Sequence, residues 1–125
     1  MNDNDQLIAV AEVLGWKKLD TPKRLNAGFQ GWVNCFWQSP QQRGSSLAEK
    51  DLPNWLTSLD ACFADIVPAM KKEGWLFDLE NSFADPESWY CVFFDRNGGP
   101  ITATAPTAPR AIVKAFLMFN GRWIE

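Results

Sequence analysis

The sequence predicts a compact α+β layer structure, and three observations carry that expectation. Apolar residues recur at helical spacing near both ends of the chain and in its middle, and two stretches near residues 75 and 90 are patterned as strands. Asn97-Gly98-Gly99 then supplies a tight turn into a third strand. Amphipathic helices and strands must bury their apolar faces against each other, and about three helices on a small, mainly antiparallel sheet do so. With 125 residues the chain has the size of one domain, spanning 1–125. Such a domain buries roughly two-thirds of the surface its unfolded chain exposes.

The first helix is expected from Asp3 to Leu14, with Leu7, Val10, Ala11 and Leu14 on its stripe. Asp3 and Gln6 sit at capping-box positions, and Gly15 is placed to end the helix. Residues 17–53 read as an irregular, aromatic-rich loop region punctuated by Pro22, Gly28, Gly31, Pro40 and Gly44. Within it, residues 29–37 suit a strand or a packed loop, and Gln41 to Ser46 an exposed polar loop. A second helix is expected to start between Trp55 and Ser58, capped by Thr57 or Ser58, and to run towards Glu73. Its stripe would be Leu59, Cys62, Phe63, Ile66 and Met70, and Pro68 predicts a kink or an early end.

Gly74 stops that helix, and Trp75, Phe77 and Leu79 alternate with Leu76, Asp78 and Glu80 as a half-buried edge strand requires. Residues 89–94 are apolar on both faces, which predicts a central strand paired as a hairpin with residues 101–105. The last helix should begin at Thr107 to Pro109 and end at Asn120-Gly121, with Ile112, Ala115, Phe116 and Phe119 facing the core.

Composition narrows the chemistry. Histidine is absent, which excludes Ser-His-Asp and Cys-His nucleophilic arrangements and the commonest zinc sites. The three cysteines, Cys35, Cys62 and Cys91, are odd in number and lie among apolar residues, so reduced, packed thiols are expected rather than a disulfide framework or a nucleophile. An acidic start, Met1-Asn2-Asp3-Asn4-Asp5, is the opposite of a signal peptide's basic one, and no apolar run is long enough to span a bilayer. A soluble, cytoplasmic protein without membrane contact is therefore expected. The net charge is −3, but residues 51–95 carry nine acids against Lys71 and Lys72. That balance disfavours nucleic acid, although Lys17, Lys18, Lys23 and Arg24 form a local basic cluster. Asp78, Glu80 and Asp85 match no dedicated cation loop and read as a solvated acidic face, so no metal or cofactor is expected.

Leu14-Gly15-Trp16, Leu52-Pro53-Asn54-Trp55, Gly74-Trp75, the strand Trp89-Tyr90-Cys91-Val92-Phe93-Phe94 and the run from Ala105 to Ile112 together resemble the phage ABA sandwich domain. The resemblance covers most of the chain outside residues 17–50. It implies an α/β/α sandwich and a bacteriophage or prophage origin, and it brings no catalytic residues. An uninterrupted second helix is the pattern there, from which Pro68 departs.

Seven tryptophans are the remaining signal, of which Trp75 and Trp89 are the expected core members. Phe29, Trp32, Phe36, Trp37 and Trp55 cluster around the irregular segment and are the expected recognition surface, with Arg43 and Arg110 as its polar contacts. The function expected is that of a non-enzymatic phage accessory protein that binds a host or viral protein through this aromatic surface. The alternative is a binder of a small nucleotide-like signal of host immunity, with aromatics stacking on a base and Lys17, Lys18, Arg24, Arg43 or Arg110 meeting phosphates. Exposed aromatics also suit a homo-oligomer interface.

Overall fold

The computed structural model describes residues 1–19, 36–40, 47–48, 52–81, 87–94 and 100–124. Among them the chain forms three helices and two small antiparallel sheets, a compact α+β fold.

The N-terminal helix, Asp3–Val13, is capped by Asn2, whose side-chain oxygen accepts from the Asp5 N–H at 2.7 Å. The expected box of Asp3 and Gln6 is not used. Gln6 is buried and its amide donates to the carbonyl of Met1 at 3.3 Å, while Asp3 is turned to Arg110. Ala9, Val10 and Ala11 enter the core, with Leu7 and Leu14 packed at its margin. At Gly15 the backbone takes φ +93°, the Gly15 N–H bonds the carbonyl of Glu12, and the Trp16 N–H bonds that of Ala11. This paired arrangement satisfies two orphan carbonyls and turns the chain sharply. The same pair of bonds closes the other two helices, at Gly74 followed by Trp75 and at Gly121 followed by Arg122.

The turn delivers β1 (Lys17–Leu19), which pairs with β2 (Phe36–Gln38), itself paired with β3 (Leu47–Ala48). A three-stranded sheet thus stands within the region expected to be irregular. Its strands are two or three residues long, too short to display a period in sequence.

The middle helix covers residues 59–72 in three parts: Leu59–Ala61, a π-helical segment Cys62–Ile66, and Val67–Lys72. Ser58 caps it, its Oγ accepting from the Ala61 N–H at 3.1 Å. Pro68 neither ends this helix nor leaves it regular. Proline offers no N–H to the carbonyl four residues back, and the preceding turn is widened so that the Val67 N–H bonds the carbonyl of Cys62 five residues back. The buried stripe differs in part from the expected one. Cys62, Ile66, Val67 and Met70 face the core, whereas Leu59 and Phe63, expected on that stripe, are exposed.

The second sheet has the order β4 (Leu76–Asn81), β5 (Trp89–Phe94), β6 (Ile101–Ala105), with β4 at an edge and β5 central as expected. Phe77, Phe93 and Ile101 lie opposite one another, as do Leu79, Cys91 and Ala103. That face receives the C-terminal helix, Ala108–Phe119. The other face carries the exposed Leu76, Asp78, Glu80, Thr102 and Thr104 around the half-buried Tyr90, Val92 and Phe94. The turn expected at Asn97-Gly98-Gly99 lies outside the described residues, but the strands it joins pair antiparallel. Thr107 caps the C-terminal helix and Pro109 sits in its first turn. Eight of its twelve residues are buried, a helix apolar nearly all round and enclosed by β5, β6, the N-terminal helix and the π segment.

Candidate functional site

A cleft of about 300 Å³ opens where the N-terminal helix, the end of β2 and one flank of the middle helix meet. Leu14 and Trp16 line it from the first, Pro40 from the second, and Ala64, Asp65, Pro68, Ala69 and Lys72 from the third. Its existence follows from side-chain size, because Ala64, Pro68 and Ala69 leave the helix flank low while Trp16 and Lys72 stand up around it. The volume is at the lower end of small-ligand pockets.

Trp16 reaches this position through the glycine turn that ends the first helix. Its ring meets Trp55 edge-on, with centroids 6.1 Å apart and planes at 85°, an arrangement that matches the positive edge of one ring to the negative face of the other. Trp55 is wholly buried and donates its indole N–H to Asp65 at 2.9 Å. One carboxylate oxygen is thereby fixed, and Asp65 is held in the π segment between the core and the cleft. Lys72 presents an exposed ammonium that no described carboxylate pairs with. The cleft therefore offers an indole, two proline rings, a positioned carboxylate and a cation within one small volume. It can hold one flat or long apolar group bearing a negative substituent.

The expected recognition surface fares differently. Trp55 and Trp37 are 0% and 2% exposed, so neither can stack on a ligand or anchor a partner, and that expectation is corrected. The physical reason is area. Indoles remove more apolar surface from water than any other side chain, and both are enclosed in the hydrophobic core. Phe36 lies in β2, while Phe29, Trp32 and Arg43 lie outside the described residues, as do Lys23, Arg24, Cys35 and Asp85. Trp75 and Trp89, expected in the core, sit half-buried at its margin, Trp75 edge-on to Phe119 at 4.5 Å.

Arg110 is engaged by its own protein. Its guanidinium forks onto Asp3 at 2.8 and 2.9 Å, and this bond holds the Asp3 carboxyl below its usual range and raises the arginine. Nearby, Lys114 lies 5.2 Å from the centre of the Trp123 ring, and Arg122 pairs with Glu12 at 2.7 Å. The two ion pairs staple the N-terminal helix to the C-terminal region.

Cys62 and Cys91 are free and fully buried, and burial pushes both thiols up to about 12. The Cys62 thiol donates to the carbonyl of Trp55 at 3.1 Å. Asp78 and Glu80 share the exposed face of β4, and among the described residues no three side chains of the ligating types could hold a metal ion. None of the described helices is long and apolar enough to cross a membrane. Trp16 and Lys72 were not singled out by sequence, although Gly15-Trp16 directly after a helix was the available signal.

No family model, no curated protein and no solved structure matches this chain.

Proposed function

We propose that the chain is a non-enzymatic accessory protein of phage origin that binds a host or viral polypeptide, with the cleft around Trp16 as its recognition pocket. The observation that carries this reading is the half-buried indole at the rim of a proline-walled cleft, backed by a fixed carboxylate and faced by the Lys72 ammonium. Such a pocket takes one large side chain of a partner as an anchor, and the lysine favours a neighbouring acid. The exposed acids of β4 and the stapled Arg110 stand apart from it and take no part.

The test is selection from a displayed random-peptide library on the immobilised protein. Enriched peptides are expected to carry an aromatic or long apolar residue beside Asp or Glu. Ala69→Arg, which fills the cleft from a half-buried position, is expected to weaken their binding at least about tenfold, or 1.4 kcal/mol, with an unchanged melting temperature. Equal binding by the filled variant would overturn the assignment.

One observation supports the second reading, a nucleotide-like ligand: the Trp16 ring and the Lys72 ammonium border the same cleft, as base stacking and phosphate pairing require. With Arg110 held by Asp3, Lys17 and Lys18 are the remaining described cations named for that role. A rise in melting temperature with a particular nucleotide, lost in Ala69→Arg, would select it.

A further inference from the structure

The opposite flank of the middle helix borders a different kind of surface. β4 is an outer strand: its inner side pairs with β5 along all six residues, from Leu76 opposite Phe94 to Asn81 opposite Trp89. Among the described residues no strand joins its outer side. In an antiparallel ladder alternate residues direct both N–H and C=O away from the partner, so β4 from Leu76 to Glu80 presents a row of backbone donors and acceptors that no described strand pairs with.

The two faces flanking this edge differ in chemistry. On the helix side, Leu59 and Phe63 are 39% and 46% exposed and lie one turn apart, and the Phe63 ring stands edge-on to Phe77 at 5.5 Å. On the other side, Asp78 and Glu80 are exposed, and neither pairs with a described cation. The edge is thus a backbone template with an apolar shelf on one face and, beside the exposed Leu76, two acids that no described cation pairs with on the other.

We propose that the β4 edge accepts an extended segment of a partner polypeptide as an added strand, with apolar residues alternating with Lys or Arg. Strand addition supplies affinity through the backbone, and the alternation supplies specificity: basic side chains meet Asp78 and Glu80, and apolar ones cover Phe63 and Leu59. Charge argues against a second copy of the chain as the occupant. In a two-fold antiparallel pairing, directly opposed residues share a face, so the two face-matched registers of greatest overlap set Asp78 against Asp78 or against Glu80 of the copy. Like charges directly opposed destabilise such a pair. The same acids that discourage self-association select a basic strand. This inference uses a surface other than the Trp16 cleft and stands or falls separately from it.

The experiment titrates the full chain with a synthetic peptide of about eight residues alternating lysine and valine. Controls are a peptide with glutamate for lysine and one of the same composition with its lysines grouped together. Amide hydrogen exchange is followed residue by residue. Alternate β4 amides between Leu76 and Glu80 are expected to gain protection. Asp78→Lys combined with Glu80→Lys should weaken binding at least about tenfold, and Ala69→Arg should leave it unchanged. Equal binding of the grouped-lysine or glutamate peptide, protection confined to the cleft, or a concentration-dependent dimer that already protects β4 without peptide would each overturn the proposal.

Discussion

The C-terminal helix and the middle helix are close in length, end in the same glycine turn and contribute to one core, yet they serve the molecule differently. The first is buried on nearly all sides and regular throughout, so most of its side chains are enclosed by packing. The second is interrupted by a π segment before Pro68, buries a single stripe, and leaves a small-residue flank on one side and exposed Leu59 and Phe63 on the other. The difference teaches that enclosure and accessible surface draw on opposite properties. A helix surrounded by its own protein has no surface to offer, and one whose ladder is locally widened can face a cleft and a strand edge at once.

The contrast is broken most directly by truncating one phenylalanine in each helix. Phe116→Ala removes a buried ring and is expected to cost about 4 kcal/mol in chemical denaturation, whereas Phe63→Ala, at a half-exposed site, should cost about 1 kcal/mol. Comparable losses would mean that the middle helix is as deeply committed to the core as its neighbour.

Alkaline pH probes the two buried thiols, Cys62 in the middle helix and Cys91 in β5. Their folded pKa values, about 12, stand above the ordinary 9.0, so the stability they contribute is fully present below pH 9 and is lost as pH rises through 9 towards 12. Melting temperature followed across that range should fall, and a thiol reagent at pH 8 should label Cys62 and Cys91 only on unfolding. Rapid labelling of the folded protein would show that one helix opens locally.

The shared glycine turns sharpen the comparison from the other direction. A Cβ at Gly74 or Gly121 would meet nothing within 4 Å, so Gly→Ala at either site meets only the backbone cost of positive φ. The expected loss is about 1 kcal/mol at both, measured by denaturant midpoint. Unequal losses would mean that the helices depend differently on how they stop. The smallest effect belongs to Asp3→Asn, which removes a solvent-exposed fork to Arg110. Because Asp3 is held below its ordinary pKa, any stabilisation is present above that value and lost as pH falls through the folded one. The melting temperature of the variant should lie close to that of the parent and converge with it in high salt.

Much of residues 75–121 was legible because local signals there agree with the tertiary outcome. Alternation placed Phe77 and Leu79 against the helices, a doubly apolar run marked β5 as central, and glycines marked the ends. Of the first sheet only β2 had a signal, at the end of the aromatic run 29–37 whose residues 29–35 lie outside the described ones; β1 and β3 had none, since no period survives in strands of two or three residues. Trp37 and Trp55 misled for a different reason: an indole suits a binding surface and a core equally, and only the Trp55–Asp65 bond and full enclosure decide between them. The cleft depends on Trp16, Pro40 and Lys72, which are far apart in sequence and meet only through the fold. Pro68 was read correctly as a disturbance, but the helix absorbs it by widening a turn, and Leu59 and Phe63 lie off the buried stripe.

The perpendicular meeting of Trp16 and Trp55 also gives the protein a native optical gauge. Two indoles whose centres lie 6.1 Å apart share their electronic excitation, and the sign and strength of the resulting near-ultraviolet circular dichroism follow the angle between the rings. Trp55 is locked in place by Asp65, whereas Trp16 borders open space. A guest that tilts only the outer ring is therefore recorded as a change in that signal, without any dye or label.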